Sequence, residues 1–103
     1  MSNGLDIRVE KGEKIFCVAP GRVDYIGWMR GYGKFVIVNH FGEHISIYGH
    51  LDKINVIENQ EVKYGDVLGL AGETGSLNGP KLHFQIRRSS ETLDPRNWLE
   101  KRE

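Results

Sequence analysis

The chain has 103 residues, which is enough for one domain with a single modest core and too few for two. Its 14 Lys and Arg residues balance 14 Asp and Glu residues, so the composition predicts neither a nucleic-acid partner nor binding to an anionic membrane. The single cysteine, Cys17, excludes an internal disulfide and a cysteine-based zinc cluster. No apolar run approaches the roughly 20 residues of a spanning helix, so we expect no membrane insertion of this domain.

Glycine-rich turns and strong β-formers predict an all-β fold of short strands. In chain order the predicted strands are EKIFCVAP, RVDYIGW, KFVIVNH, HISIYGHL, DVLGLAG and KLHFQIRR. KFVIVNH is apolar on both faces, which is typical of a central strand that is covered on each side. Near the C-terminus, LDPRNWL predicts a turn and one short helical turn, with Trp98 and Leu99 packing back on the domain.

Two of the predicted strands carry a polar face, because side chains alternate along a strand. In the last strand, alternation separates the apolar side chains of Leu82, Phe84 and Ile86 from the polar ones of Lys81, His83, Gln85 and Arg87. In HISIYGHL it predicts that Ile45 and Ile47 point inward while His44, Ser46, Tyr48 and His50 share the other face. Both strands are therefore candidates for the walls of a polar groove.

His50 and His83 are the histidines best placed for chemistry, since each lies on a polar strand face close to glycine or proline. With Asp6 they can supply two nitrogens and one oxygen to zinc, a ligand set that leaves a position open for water. Lys81 argues against a metal, because a side chain two residues from His83 brings an ammonium to about 7 Å along the strand. The residues alone leave a zinc site and a metal-free groove both open.

Seven segments carry a resemblance that covers nearly the whole chain: NGLDI, PGRV, GYGKFVIVNH, IYGHL, EVKYGDVLGLAGETG, GPKLHFQIR and DPRNWL. Together they resemble the LytM-type, or lysostaphin-like, metallopeptidase domains that cut peptidoglycan cross-links. The resemblance implies a compact antiparallel sheet or sandwich of the LytM (duplicated hybrid motif) type over residues 1–103. It also implies that the domain is the C-terminal part of a longer exported protein, with further strand and coiled-coil sequence upstream.

The resemblance assigns roles to five positions. Asp6 matches the aspartate ligand of the family's zinc, His50 the middle histidine, and His83 the last ligand. Ser2 stands where the first zinc histidine is expected, and Lys81 where a catalytic histidine is expected. Because a serine hydroxyl is a poor zinc ligand and a protonated lysine is no base, the resemblance implies a catalytically inactive domain without a cofactor.

Within the family, GWMRGYGKFVIV, FQIRR and the Pro-x-x-Trp-Leu close are similar to the EnvC-type murein hydrolase activators. This similarity implies that the former catalytic groove binds and activates a zinc-dependent N-acetylmuramoyl-L-alanine amidase during cell-wall remodelling at division. It also implies a periplasmic location and an upstream coiled coil that is engaged by an FtsEX-type complex.

We expect a partner-binding groove made of seven residues: Asp6, Tyr32, Tyr48, His50, Lys81, His83 and Arg87. Arg87 and Tyr32 are the expected anchors, since arginine and tyrosine are enriched in binding hot spots. Trp28 fits equally well a core position and an exposed one. Two alternatives stay open: a zinc-dependent peptidoglycan endopeptidase with zinc on Asp6 and His83, or a module that binds peptidoglycan without activating anything.

Overall fold

The computed structural model describes residues 4–42 and 44–88. This part consists of eight β-strands: β1 (Gly4–Arg8), β2 (Lys14–Phe16), β3 (Gly21–Met29), β4 (Gly33–Asn39), β5 (His44–Ile54), β6 (Glu61–Val62), β7 (Val67–Ala71) and β8 (Lys81–Arg88). Within it, no helix is long and apolar enough to cross a bilayer. Ser2 and the predicted C-terminal packing of Trp98 and Leu99 lie outside the described residues.

The strands form one antiparallel sheet in the order β1-β8-β5-β4-β3-β6, while β7 pairs with β5 and with β2. The all-β prediction is confirmed, and each of the six predicted strands corresponds to one of these elements. Strands β1 and β6 were not predicted as such. The first omission matters because β1 is the edge strand that carries Asp6.

Strand β4 separates two hydrophobic clusters, as its apolar residues on both faces predict. Val36 and Val38 belong to the larger cluster, which lies under β2 and β7, while Phe35 and Ile37 belong to a smaller one. The smaller cluster contacts Tyr32 and so lies behind the candidate site. The prediction of a central, doubly covered strand is therefore confirmed.

Tyr48 belongs to the larger cluster and is 1% exposed, which corrects the prediction that it lines a groove. Both faces of β5 are covered over most of its length. A polar side chain on this strand therefore makes buried hydrogen bonds and does not mark the face that is exposed to solvent. The Tyr48 hydroxyl lies 2.8 Å from Ser46 Oγ and accepts from the Val18 amide at 3.3 Å. His40 Nε2 lies 2.7 Å from the same serine oxygen and completes the network.

Replacing Tyr48 by Phe tests whether this buried network stabilises the fold. Burial raises the pKa of Tyr48 to about 12, so its hydroxyl stays protonated in the folded protein at neutral pH. We expect Tyr48→Phe to lower the free energy of unfolding by roughly 1–2 kcal/mol, because Ser46 and the Val18 amide lose a partner. Urea denaturation measures the effect, and Tyr64→Phe on a 77% exposed ring is the matched control. Equal midpoints for the two variants would contradict the prediction.

Candidate functional site

The antiparallel pairing of β1 with β8 builds the candidate site. Its register places Asp6 opposite His83 and Arg8 opposite Lys81, so that these four side chains project from the same face. Gln85 and Arg87 follow on that face, two and four residues after His83. We call this surface the site face; it comprises Asp6, Arg8, Lys81, His83, Gln85 and Arg87.

Asp6 links His83 and Lys81, the two donors that flank it. Its Oδ1 accepts a hydrogen bond from His83 Nδ1 at 2.8 Å, and its Oδ2 accepts one from Lys81 Nζ at 3.3 Å. The hydrogen bond from His83 holds the pKa of the Asp6 carboxyl below its usual value of 3.8, against the opposing effect of burial and with a further contribution from Lys81. Asp6 is therefore an ionised carboxylate with a donor on each oxygen.

The His83 ring is held on several sides. Its Nε2 lies 3.2 Å from Gln85 Oε1, and its ring centroid lies 5.0 Å from that of Tyr32. Gly4 lies directly beneath the imidazole, where a Cβ would collide with the ring. The close approach of β1 to the ring therefore requires glycine at this position.

Gln85 has a polar role that sequence reasoning missed. It is 1% exposed, and its Nε2 has no partner among the described residues. Its Oε1 lies 3.2 Å from His83 Nε2 and 3.4 Å from the Tyr32 hydroxyl, so this side chain joins the hairpin tip to the imidazole. The sequence contained this information, because Gln85 lies two residues after His83 and alternation places both side chains on the same face of β8.

His50 reaches the site through a backbone irregularity. Gly49, and not His50, pairs with His83, so regular alternation would place His50 on the opposite face. A left-handed backbone, with φ of 63°, turns the residue back, and its ring centroid lies 6.3 Å from that of His83. The His50 side chain is buried, and its Nδ1 donates to the Thr74 carbonyl at 2.7 Å, which fixes the orientation of the ring.

The tip of the β3–β4 hairpin forms a second wall of the site. The Tyr32 carbonyl accepts from the His50 amide at 2.6 Å, and the Tyr32 hydroxyl donates to Gln85 Oε1 at 3.4 Å. Gly33, with φ of 65°, has its Cα against the Thr74 carbonyl, where a side chain has no room. Trp28 on the same hairpin is 60% exposed, so of the two positions expected for it, core and surface, the structure shows the surface one.

The structure thus brings together five of the predicted groove residues: Asp6, Tyr32, His50, Lys81 and His83. Arg87 lies on the site face opposite Ile45, half-buried, but four residues or roughly 13 Å along β8 from His83. Tyr48 lies on the other side of the sheet, where it packs against Phe84.

The described residues of the site do not by themselves supply the ligands of a catalytic zinc ion. Such an ion needs three protein ligands, and the site face offers two, Asp6 and His83. The third position that the family resemblance requires is Ser2, outside the described residues. Within residues 4–42 and 44–88, no group of three His, Cys, Asp or Glu side chains is arranged to hold a metal. The Lys81 ammonium, 3.3 Å from Asp6, adds repulsion against any cation bound there.

Known proteins resemble this chain over nearly its whole length. Murein hydrolase activator NlpD of Escherichia coli (strain K12) is 39% identical over 102 residues, which cover 98% of this chain and 27% of NlpD. Murein hydrolase activator EnvC of the same organism is 33% identical over 96 residues, which cover 93% of this chain and 23% of EnvC. The chain thus spans about a quarter of the length of these curated relatives.

The fold and the sequence also match solved peptidases. The catalytic domain of the antimicrobial peptidase lysostaphin from Staphylococcus simulans is 31% identical, with a TM-score of 0.82 over 97% of this chain and 80% of that one. This match confirms the LytM-type fold. The similarity to NlpD and EnvC confirms the predicted resemblance to the murein hydrolase activators. The sequence model of peptidase family M23 matches residues 1–95. The chain belongs to peptidase family M23.

Proposed function

We propose that this domain is a catalytically inactive M23 domain that binds a peptidoglycan N-acetylmuramoyl-L-alanine amidase and activates it. The observation that carries the proposal is the contact of Lys81 with Asp6 at 3.3 Å, beside the Asp6–His83 hydrogen bond of 2.8 Å. A family that hydrolyses peptides on zinc needs that carboxylate as a ligand. Here the carboxylate is occupied by an ammonium and an imidazole, which leaves a shaped groove without the metal's chemistry.

The relatives support the same proposal. NlpD and EnvC are named murein hydrolase activators, and further relatives are named lipoproteins. By analogy we place this domain in the bacterial envelope, on the periplasmic side, where an amidase reaches peptidoglycan. The upstream coiled coil and the FtsEX-type complex belong to the proposal as well and rest on the family resemblance alone.

The site has the parts that a protein-binding groove needs. Tyr32 supplies aromatic surface from the tip of the β3–β4 hairpin, while Lys81 and Arg87 supply donors for charge-assisted hydrogen bonds. Activation follows if the amidase has a closed and an open state and this groove binds the open state more tightly. A shift from mostly closed to mostly open needs roughly 5 kcal/mol of differential binding free energy, which a few hot-spot contacts can supply.

Arg87→Ala tests the groove. We expect at least about thirtyfold weaker binding of the amidase, equivalent to roughly 2 kcal/mol, because a hot-spot arginine loses its hydrogen bonds to the partner. The measurement is release of dye-labelled peptidoglycan by a purified amidase over a range of domain concentrations, because the concentration that gives half-maximal release reports the binding. The domain alone is included in the same assay.

The control for this variant is Arg88→Ala, a neighbouring arginine that is exposed and lies on the opposite side of β8. Circular dichroism and thermal unfolding must show that both variants remain folded. Full stimulation by Arg87→Ala would count against the groove. Retention of the domain on sacculi without any stimulation of amidase would favour the peptidoglycan-binding module instead.

Metal content separates the activator from the zinc endopeptidase alternative, which the peptidase relatives favour. We expect the protein, purified with added zinc and then desalted, to retain far less than one zinc per chain, since the site supplies two ligands and a competing ammonium. Atomic absorption of the desalted protein gives this ratio. Lys81→Ala, which removes the ammonium, should retain more zinc than wild type. Stoichiometric zinc in wild type, with cleavage of cross-linked muropeptides, would support the enzyme.

The pH dependence of stability tests the ionised state of Asp6. Its pKa is lower in the folded protein than in the unfolded chain, chiefly through the hydrogen bond from His83. The stabilisation is therefore complete above roughly pH 4 and is lost as the pH falls through the folded-state pKa. We expect the stability difference between wild type and Asp6→Asn to shrink on acidification below roughly pH 4. Urea unfolding across pH 2.5 to 7 tests this, with Glu10→Gln as a charge-matched control; a constant difference would contradict it.

A further inference from the structure

A second recess lies at the end of the site face, where β1 meets the loop before β8. It is a cleft of about 570 Å³ lined by Asp6, Arg8, Val9, Asn78, Pro80 and Lys81. We call it the Arg8–Lys81 pocket. It shares Asp6 and Lys81 with the groove, so a segment bound in the groove can place one side chain in the pocket.

The pocket has an excess of positive charge. Arg8 and Lys81 are cross-strand partners on the same face, and like charges placed directly opposite each other destabilise a sheet. The carboxylate between them, Asp6, already has Lys81 on one oxygen and His83 on the other. The Arg8 side chain is exposed, and no hydrogen bond or ion pair joins it to the rest of residues 4–42 and 44–88. One negative charge thus faces two fixed positive charges.

The remaining lining suits a carboxylate. The Arg8 guanidinium presents a planar fork of donors that matches the two oxygens of a carboxylate, and Lys81 adds a point charge. The Asn78 side chain is exposed at the rim and offers an amide donor. Val9 and Pro80 supply apolar contact for the short aliphatic stem of an aspartate or glutamate. The volume is far larger than a free carboxylate needs, which favours a side chain delivered by a longer segment.

We infer that the Arg8–Lys81 pocket receives an acidic side chain from the amidase segment that occupies the groove. The inference rests on the proposed function and adds the chemistry of the partner: the segment carries an aspartate or glutamate at the end that lies over β1. The incoming carboxylate relieves the repulsion between Arg8 and Lys81. Because the pocket is open to solvent, its main effects are on the association rate and on the salt dependence of binding.

The test is binding of the purified amidase to four forms of the domain by surface plasmon resonance, at 50 mM and 300 mM NaCl. The forms are wild type, Arg8→Lys, Arg8→Gln and Arg8→Glu. We expect Arg8→Lys to bind within about threefold of wild type, Arg8→Gln roughly tenfold weaker, and Arg8→Glu weaker still. The loss should shrink at the higher salt concentration, since the pocket is solvent-exposed.

Lys63→Glu is the matched control, because it makes the same charge change on the exposed turn after β6, away from the site face. Equal loss in Arg8→Glu and Lys63→Glu would overturn the inference, since net charge alone would then explain it. Wild-type binding by Arg8→Glu together with weak binding by Arg87→Ala would overturn the pocket and leave the proposed function standing. No binding of wild type to the amidase would overturn both.

Discussion

The pairing of β1 with β8 is the constraint on which the site depends. It joins Asp6 to His83, two residues 77 positions apart in the chain, and the hydrogen bond between them lies at an exposed edge of the sheet. The apolar residues of β1 give limited support, since Leu5 is 65% exposed and Ile7 is 40% exposed. The ionised Asp6, with a donor on each oxygen, therefore helps to hold the edge strand in register. The contacts that hold this edge are made by the carboxylate to which the family resemblance assigns the role of a metal ligand.

The local pattern of apolar residues and glycines was sufficient to predict most of the strands, because the central strands are rich in apolar side chains. β4 is apolar on both faces, and the turns around it contain glycine at positive φ, such as Gly31 and Gly33. β1 gives a weak signal, since five residues with two apolar side chains form an edge strand only when β8 is there to pair with. That partner is distant in sequence, and a window of a few residues contains no information about it.

On β5 the structure corrects the predicted position of Tyr48 and brings His50 to the candidate site, for two different physical reasons. Alternation predicted that Tyr48 and His50 share a face, but this strand is covered on both sides, so polarity does not identify the solvent side. Tyr48 follows regular alternation into the core, where its hydroxyl bonds to Ser46. His50 reaches the site because its left-handed backbone reverses the side-chain direction. A residue other than glycine in this conformation leaves no trace in the hydrophobic pattern, so the alternation that suggested His50 as a site residue does not explain how it reaches the site.

Under the proposed function, loss of hydrolysis and gain of partner binding are compatible in one groove because they need different things from it. Hydrolysis on zinc needs three protein ligands, one of them a carboxylate that is free to bind the metal. Here the Asp6 carboxylate is paired with the Lys81 ammonium. Binding needs rigid walls, and these are intact: the Thr74 carbonyl holds His50, and Tyr32 packs against His83. A rigid groove loses little conformational entropy when it binds a segment of the partner. More of the binding free energy can then favour one state of the partner over the other. In the proposed function, Lys81 therefore has two effects at one position: its ammonium competes with a cation for Asp6, and it offers a donor to a partner at the wall of the groove.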